Sequence, residues 1–222
     1  MTVVRKVVIG RLHVITDEVL QNRYSHAELA RLAITGGADA VQYREKRALL
    51  TTDLVTCARA VAQECRAGAA ACIVDDRVDV AVAAEADGVH VGRNDLEATI
   101  ARKLVGNGFL IGGTANSLTE ARVVFRTPVD YIGVGPVFGT NAKANPAPGL
   151  GLDALREIVA ESPVPIIAIG NITPEVVSSV LATGAHGIAV LSGITCAPDP
   201  TTAAKTYADA IRTYLATLEE GR

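Results

Sequence analysis

The sequence predicts a (β/α)8 barrel, and three observations carry that reading. Strand-like and helix-like segments alternate through eight rounds in about two hundred residues. The strand-like runs are short, unbroken and rich in Val, Ile and Ala, as required when both faces of a sheet are covered. No dinucleotide-type glycine fingerprint follows any of them, which favours a closed barrel over an open doubly wound sheet.

Taken in order, Leu12–Thr16 reads as the first strand, and Ser25–Thr35 as a helix with Ser25 as its N-cap. Ala40–Tyr43 is the second strand and Thr52–Arg66 its helix. Ala70–Val74 and Val78–Glu85 form the third round, and Val89–Val91 and Leu96–Leu104 the fourth. Phe109–Ile111 and Leu118–Arg126 follow, then Tyr131–Val134 and Leu152–Glu161. Pro165–Ile169 precedes a helix over Pro174–Thr183, with Pro in its first turn. Gly187–Leu191 is the last strand, and Thr201–Leu218 closes the chain. Four helix-to-strand joints share a small-residue pattern. They are Gly36-Gly-Ala-Asp-Ala-Val41, Glu85-Ala-Asp-Gly-Val89, Thr127-Pro-Val-Asp-Tyr-Ile132 and Thr183-Gly-Ala-His-Gly-Ile188. They recur about every two rounds, which suits a barrel of doubled units.

Composition narrows the function. The 222 residues suit one domain over 1–222, and 49% hydrophobic content supports a sizeable core. A net charge of −3 argues against a nucleic-acid surface, so a phosphorylated ligand would need locally gathered cations. Cys57, Cys65, Cys72 and Cys196 form no C-x-x-C pair and sit in apolar surroundings, which points to free thiols in a reducing cytoplasm. The first residues do not read as a signal peptide, and no window approaches the ~18–20 apolar residues of a membrane span.

In such a barrel the site lies at the carboxyl ends of the strands. The sixth strand, Tyr131–Val134, ends in Gly-Pro, and a loop over Gly139–Gly149 follows with Thr140 and Lys143. Its Gly, Pro and Asn content suits a segment that closes over substrate. On the second strand, alternation places Gln42, Arg44 and Lys46 on one face and Tyr43 and Glu45 on the other. An amide and two cations there suit a polyphosphate, or are simply a solvated strand end. Asp76 and Asp95 follow the third and fourth strands. They form either a Mg²⁺ site shared with phosphate oxygens or, with Asp75 and Asn94, a set of helix caps. Gly112-Gly-Thr114-Ala-Asn116 lets a ligand approach the backbone or is an ordinary turn. Gly170 and Ser192-Gly193, after the seventh and eighth strands, fit a backbone phosphate site. His13, His26, His90 and His186 are weaker candidates for proton transfer.

Six segments in order, LHVITD (12–17), QYREK (42–46), Asp76–Val80 with ADGVHVGRND (86–95), DYIGVGPVFGTNAK (130–143), IAIGNIT (167–173) and GAHGIAVLSGI (184–194), resemble the thiamine phosphate synthase and thiazole tautomerase family. The resemblance implies a transferase that joins a pyrimidine-methyl diphosphate to a thiazole phosphate and releases pyrophosphate. The alternatives on the same scaffold are a thiazole tautomerase and a catalytically silent phosphate-ligand binder. It also implies that Arg44, Lys46 and Lys143 hold the diphosphate, with Asp75 facing it, and that Asp76 and Asp95 bind Mg²⁺. Gln42 and Thr140 would contact the pyrimidine region, with Thr114 and Asn116 nearby, and Gly170 and Ser192-Gly193 would hold the thiazole phosphate. The chain departs from the family pattern in having Asp75 for Asn, Arg93 for Gln, Thr114 and Asn116 for Ser and His, and Ala142 for Thr. Asn116 cannot serve as the tautomerase base, because an amide does not titrate near neutral pH. The expected partners are two small phosphorylated substrates, and many such barrels form homodimers.

Overall fold

Alternation along each strand divides the side chains between two environments, and this division builds the barrel. The computed structural model describes residues 8–140 and 148–220. Its strands are β1 (Leu12–Thr16), β2 (Ala40–Tyr43), β3 (Ala71–Asp75), β4 (Gly88–Val91), β5 (Leu110–Ala115), β6 (Tyr131–Val134), β7 (Ile166–Ile169) and β8 (Gly187–Val190). All pairs are parallel, and β8 returns to β1, so the sheet closes in sequence order. The helices are α1 (His26–Thr35), α2 (Thr51–Ala67), α3 (Val78–Ala83), α4 (Ala98–Val105), α5 (Leu118–Val124), α6 (Gly151–Glu161), α7 (Val177–Leu181), α8 (Ser192–Thr195) and α9 (Pro200–Glu220). None of them is long and apolar enough to cross a membrane.

Leu12, Val14, Val41, Val74, Val89, Ile111, Ile132, Ala168 and Ile188 share one large core with the helices. The opposite parity gives a much smaller apolar cluster of Ile15, Tyr131, Ile167 and Ala189. Polar groups take the rest of that interior. His90 Nε2 meets Thr114 Oγ1 at 2.8 Å and its Nδ1 meets the Tyr131 hydroxyl at 3.2 Å. His13 lies tilted against the Tyr131 ring at 5.5 Å between centroids. Gly112 leaves the space that this ring and His90 fill, since a Cβ there would collide with both.

The recurring joints have a defined job at the base of the barrel. Asp39 Oδ2 accepts from the Arg11 and Leu12 N–H groups, each at 2.9 Å. Asp87 Oδ2 accepts from Cys72 N at 2.8 Å, and Asp130 Oδ2 from Ile111 N at 2.7 Å. Each carboxylate at the start of an even strand therefore ties down the start of the strand before it. His186, in the fourth joint, reaches the Ile9 carbonyl through Nε2 at 2.9 Å and so closes the ring.

Ser25 caps α1, as the sequence predicts, in a reciprocal capping box with Glu28. Other expectations are corrected. β5 runs to Ala115 because closure pairs Gly112–Ala115 with β6 despite their weak strand propensity. Residues 96–97 lie before α4, and the Pro174 helix begins as a 3₁₀ turn over Pro174–Val176. Ser192-Gly193 open a four-residue helix rather than a loop.

Candidate active site

The strand ends gather most of the predicted residues at one mouth. Inward parity on β2 and β3 turns Gln42 and Asp75 toward each other, and Gln42 Nε2 donates to Asp75 Oδ1 at 2.8 Å. Lys46 Nζ lies 3.1 Å from Asp75 Oδ2 and also pairs with Asp76. Arg44 pairs with Asp17, and its Nε lies 3.9 Å from Asp75 Oδ2. Asp17, at the end of β1, was not among the sequence candidates. Its side chain is 1% exposed, and it also accepts from Val19 N at 2.7 Å and Leu20 N at 3.0 Å. Its place after the LHVIT strand marks it as a mouth residue, but its pairing with Arg44 depends on the β1–β2 register.

The carboxylates are crowded. Burial raises the Asp75 pKa, Asp76 adds to that rise, and Lys46 and Arg44 oppose it. Burial also raises the Asp95 pKa, against the Gly92 N–H and with the help of Asp76 and Asp75. Burial opposes the charge of Lys46, but Asp75 and Asp76 outweigh it and hold the ammonium above its ordinary pKa. Four carboxylates (Asp17, Asp75, Asp76, Asp95) thus face two described cations, Arg44 and Lys46. Such a mouth cannot attract a diphosphate unless further positive charge enters it.

The capping alternative for the acids fails. Arg77 occupies the N-cap of α3 and Glu97 that of α4, neither with a side-chain cap bond. Asp95 Oδ2 instead accepts from Gly92 N at 2.7 Å. Asp76 adopts a left-handed backbone, φ 62°, with its N–H donating to the His90 carbonyl at 2.9 Å. A non-glycine residue held there is unusual, and such conformations concentrate at functional sites. Asp76 and Asp95 offer hard oxygen donors from adjacent strand ends, which fits a Mg²⁺ ion that completes its shell with water and phosphate oxygens.

On the far side, Thr114 Oγ1 is engaged by His90, and the Asn116 amide donates to the Gly135 carbonyl. Asn116 N donates to Glu120 Oε2 at 2.8 Å, while Arg93 pairs with Glu120 Oε1 at 2.6 Å. Asn116 therefore braces the turn after β6. Gly170, φ 113°, packs so closely on Pro136 that a Cβ would lie 2.5 Å from Pro136 Cα. Ser192 and Gly193 open α8, whose position is fixed by Tyr207, and the Tyr207 hydroxyl donates to the Ile172 carbonyl at 2.9 Å. Tyr207 thus sits between the segments that follow β7 and β8, with Gly170 buried and Ser192 and Gly193 exposed. Thr140 is half-buried at the end of the β6 segment. Lys143 and Ala142 lie outside the described residues.

Comparison with known proteins bears on the family and the fold. Residues 12–194 match the model of a family described as thiamine monophosphate synthase. A thiamine-phosphate synthase from Salinibacter ruber is 47% identical over 203 residues, covering 91% of this chain and 89% of that protein. One from Methanoculleus marisnigri is 44% identical over 211 residues, covering 95% and 98%. The solved structure of a thiamine phosphate pyrophosphorylase from Pyrococcus furiosus superposes with a TM-score of 0.84 at 35% identity, covering 96% of this chain and all of that one.

Proposed function

The chain belongs to the thiamine monophosphate synthase family, and on that premise we propose how its barrel mouth carries out the family's transfer reaction. It is an enzyme, a transferase of the thiamine-phosphate synthase kind, acting on small phosphorylated substrates. In the reaction, the bond between a pyrimidine methylene carbon and its diphosphate oxygen breaks. A thiazole nitrogen takes that carbon, and pyrophosphate departs.

The observation that carries the assignment of roles is the facing set of Arg44 and Lys46 against Asp75, Asp76 and Asp95. Asp76 and Asp95 would hold Mg²⁺, which when bound would supply neutralisation of the charge on the departing diphosphate. Arg44, locked in place by Asp17, presents its fork to phosphate oxygens with little loss of side-chain freedom. Lys46, 37% exposed, exchanges its carboxylate partners for the diphosphate, and Lys143 adds a third cation. Gln42 and Thr140 orient the pyrimidine, and Thr114 and Asn116 line the same wall. Backbone groups at Gly170, Ser192 and Gly193 hold the thiazole phosphate. No residue needs to act as a strong general base, because positioning and charge neutralisation supply the acceleration. Asn116, committed to the Gly135 carbonyl, gives no support to a tautomerase. The same reading makes residues 1–222 one domain, cytoplasmic, and compatible with a homodimer.

The test is pyrophosphate release by purified protein from the pyrimidine diphosphate, with and without thiazole phosphate and Mg²⁺. Release that requires all three supports the reading. Saturable binding of both substrates without release under any Mg²⁺ concentration refutes it.

A further inference from the structure

A second cluster lies on the outer parity of β2, separate from the residues assigned to the transfer reaction. Glu18, His26 and Glu45 bring their donor atoms within 4.8 Å of one another. His26 Nε2 is 3.3 Å from Glu45 Oε2 and 3.7 Å from Glu18 Oε1. The His26 and Glu45 side chains are each 2% exposed.

Thr16 Oγ1 lies 2.7 Å from His26 Nδ1 and also donates to the Gln42 carbonyl at 3.3 Å, an order that suits Nδ1–H donating to Thr16. In that tautomer the Nε2 lone pair faces the two carboxylates, and a cation between them satisfies all three; in the other, Nε2–H donates to Glu45 Oε2 at 3.3 Å.

A second observation points to the same spot. The Tyr43 hydroxyl is buried and has no hydrogen-bond partner among the described residues. Its ring stands edge-on to His26 at 4.6 Å. Buried hydroxyls are rarely left unpaired.

Arg47 forms the outer rim of the cluster. Its Nη2 lies 2.7 Å from Glu18 Oε2 and also pairs with Glu45 Oε2, and its Nε reaches both Glu45 oxygens at 3.0 Å. Its backbone N–H donates to Glu45 Oε1 at 2.8 Å. The guanidinium therefore satisfies the carboxylates from one side and gives nothing to His26 Nε2. Glu18 Oε1 also accepts from the His26 N–H at 2.8 Å.

We propose that Glu18, His26 and Glu45 form a site for a first-row transition-metal dication of the Zn²⁺ class, distinct from the Asp76–Asp95 pair. One imidazole and two carboxylates form a mixed nitrogen and oxygen set, which Mg²⁺ and Ca²⁺ disfavour and Zn²⁺ accepts. Tetrahedral bonds of about 2.0–2.2 Å place donor atoms roughly 3.3–3.6 Å apart; the His26–Glu45 distance of 3.3 Å falls in that range, and the His26–Glu18 distance of 3.7 Å lies just above it. The Nδ1–H bond to Thr16 is the outer support that a metal-bound histidine normally has. A water in the fourth position would pair with the Tyr43 hydroxyl. The ion would tie residues 17–18 to residues 44–47, the two strand ends that carry Asp17, Arg44 and Lys46.

The test is titration of chelator-treated, dialysed protein with Co²⁺, read by its visible absorption. It is run on the Asp76→Asn/Asp95→Asn double variant, so that the other carboxylate pair cannot contribute. The expected result is one Co²⁺ per chain with tetrahedral-type bands, displaced by Zn²⁺. His26→Gln weakens binding by about tenfold or more. Arg47→Gln, which removes the competing cation, tightens it. A flat spectrum in the double variant overturns the proposal without reference to any ligand variant. So does Co²⁺ binding that survives His26→Gln unchanged in a chain whose circular dichroism is intact.

Discussion

Asp95→Asn separates chemistry from stability most cleanly. The substitution keeps shape, and the amide oxygen can still accept from Gly92 N, the 2.7 Å bond that Asp95 makes now. Asp95 caps no helix, so α4 loses nothing. What disappears is one of two carboxylates assigned to Mg²⁺, in a mouth where Asp76 and Asp75 already raise the cost of ionising Asp95. Two opposite unit charges about 4 Å apart attract by about 4 kcal/mol at an effective dielectric of 20. Asp76 is a third exposed, so water screens part of that attraction and about 2–4 kcal/mol is the expected loss. This corresponds to a rise of roughly 30- to 1000-fold in the Mg²⁺ needed for half-maximal pyrophosphate release. The melting temperature of the metal-free protein should move by no more than about 2 °C, and upward if at all, because a disfavoured charge is gone. The assay is a Mg²⁺ titration of initial rate beside a thermal melt in chelator. An unchanged Mg²⁺ requirement with a melting temperature lowered by more than about 4 °C would refute the reasoning and make Asp95 a purely structural residue.

Three further outcomes are expected. Lys46→Ala, which strips the ammonium 3.1 Å from Asp75, should slow pyrophosphate release about 100-fold in steady-state kinetics, with circular dichroism unchanged. Asp130→Ala removes an acceptor for Ile111 N at 2.7 Å and a partner for Arg102 at 2.5 Å. It should cost about 2–4 kcal/mol in urea unfolding, with kcat preserved because the base of the barrel is far from its mouth. His13, buried in the barrel, has its pKa lowered by burial from 6.5 to about 4. The unfolded chain therefore takes up this proton first as pH falls, so the stability His13 contributes is full above pH 6.5 and is lost on descent to about 4. The interval corresponds to about 3 kcal/mol, and His13→Leu should flatten the pH dependence of unfolding free energy in that window by this amount. A slope identical to the parent would exclude His13 as its source.

Much of this was legible in the sequence because a barrel imposes a regular code. Apolar strands such as Ile166–Ile169 announce burial on both faces, and residues that follow strands announce the mouth. Gln42, Arg44, Lys46, Asp75 and Asp76 met as expected because parity and strand order fix where they point. Pairing between charges was not legible. Nothing in LHVITD says that Asp17 anchors Arg44, since that contact depends on the β1–β2 register, in which Thr16 stands beside Tyr43. The Asp76 backbone conformation was equally hidden, because it is imposed by the His90 carbonyl on the next strand. Gly112-Gly113 reads as a turn in isolation and becomes strand only when His90 and Tyr131 close around it. The four-residue α8 is too short to leave a periodic signature.

The carboxylates at the base carry a consequence for how such a chain can be taken apart. Asp39, Asp87 and Asp130 each bind back to the strand immediately before their own, β1, β3 and β5. No aspartate among these three reaches forward from one strand pair to the next. Three of the four two-strand modules of the barrel are thus latched at their own foot, and His186 fastens the fourth to the beginning of the first. A chain opened between modules, after β2 or β4, keeps every latch inside a single piece, whereas one opened within a module, between β1 and β2, splits a latch across the break. Circular permutation and duplication can therefore act on whole modules while the mouth, drawn from all of them, is rebuilt each time the ring closes.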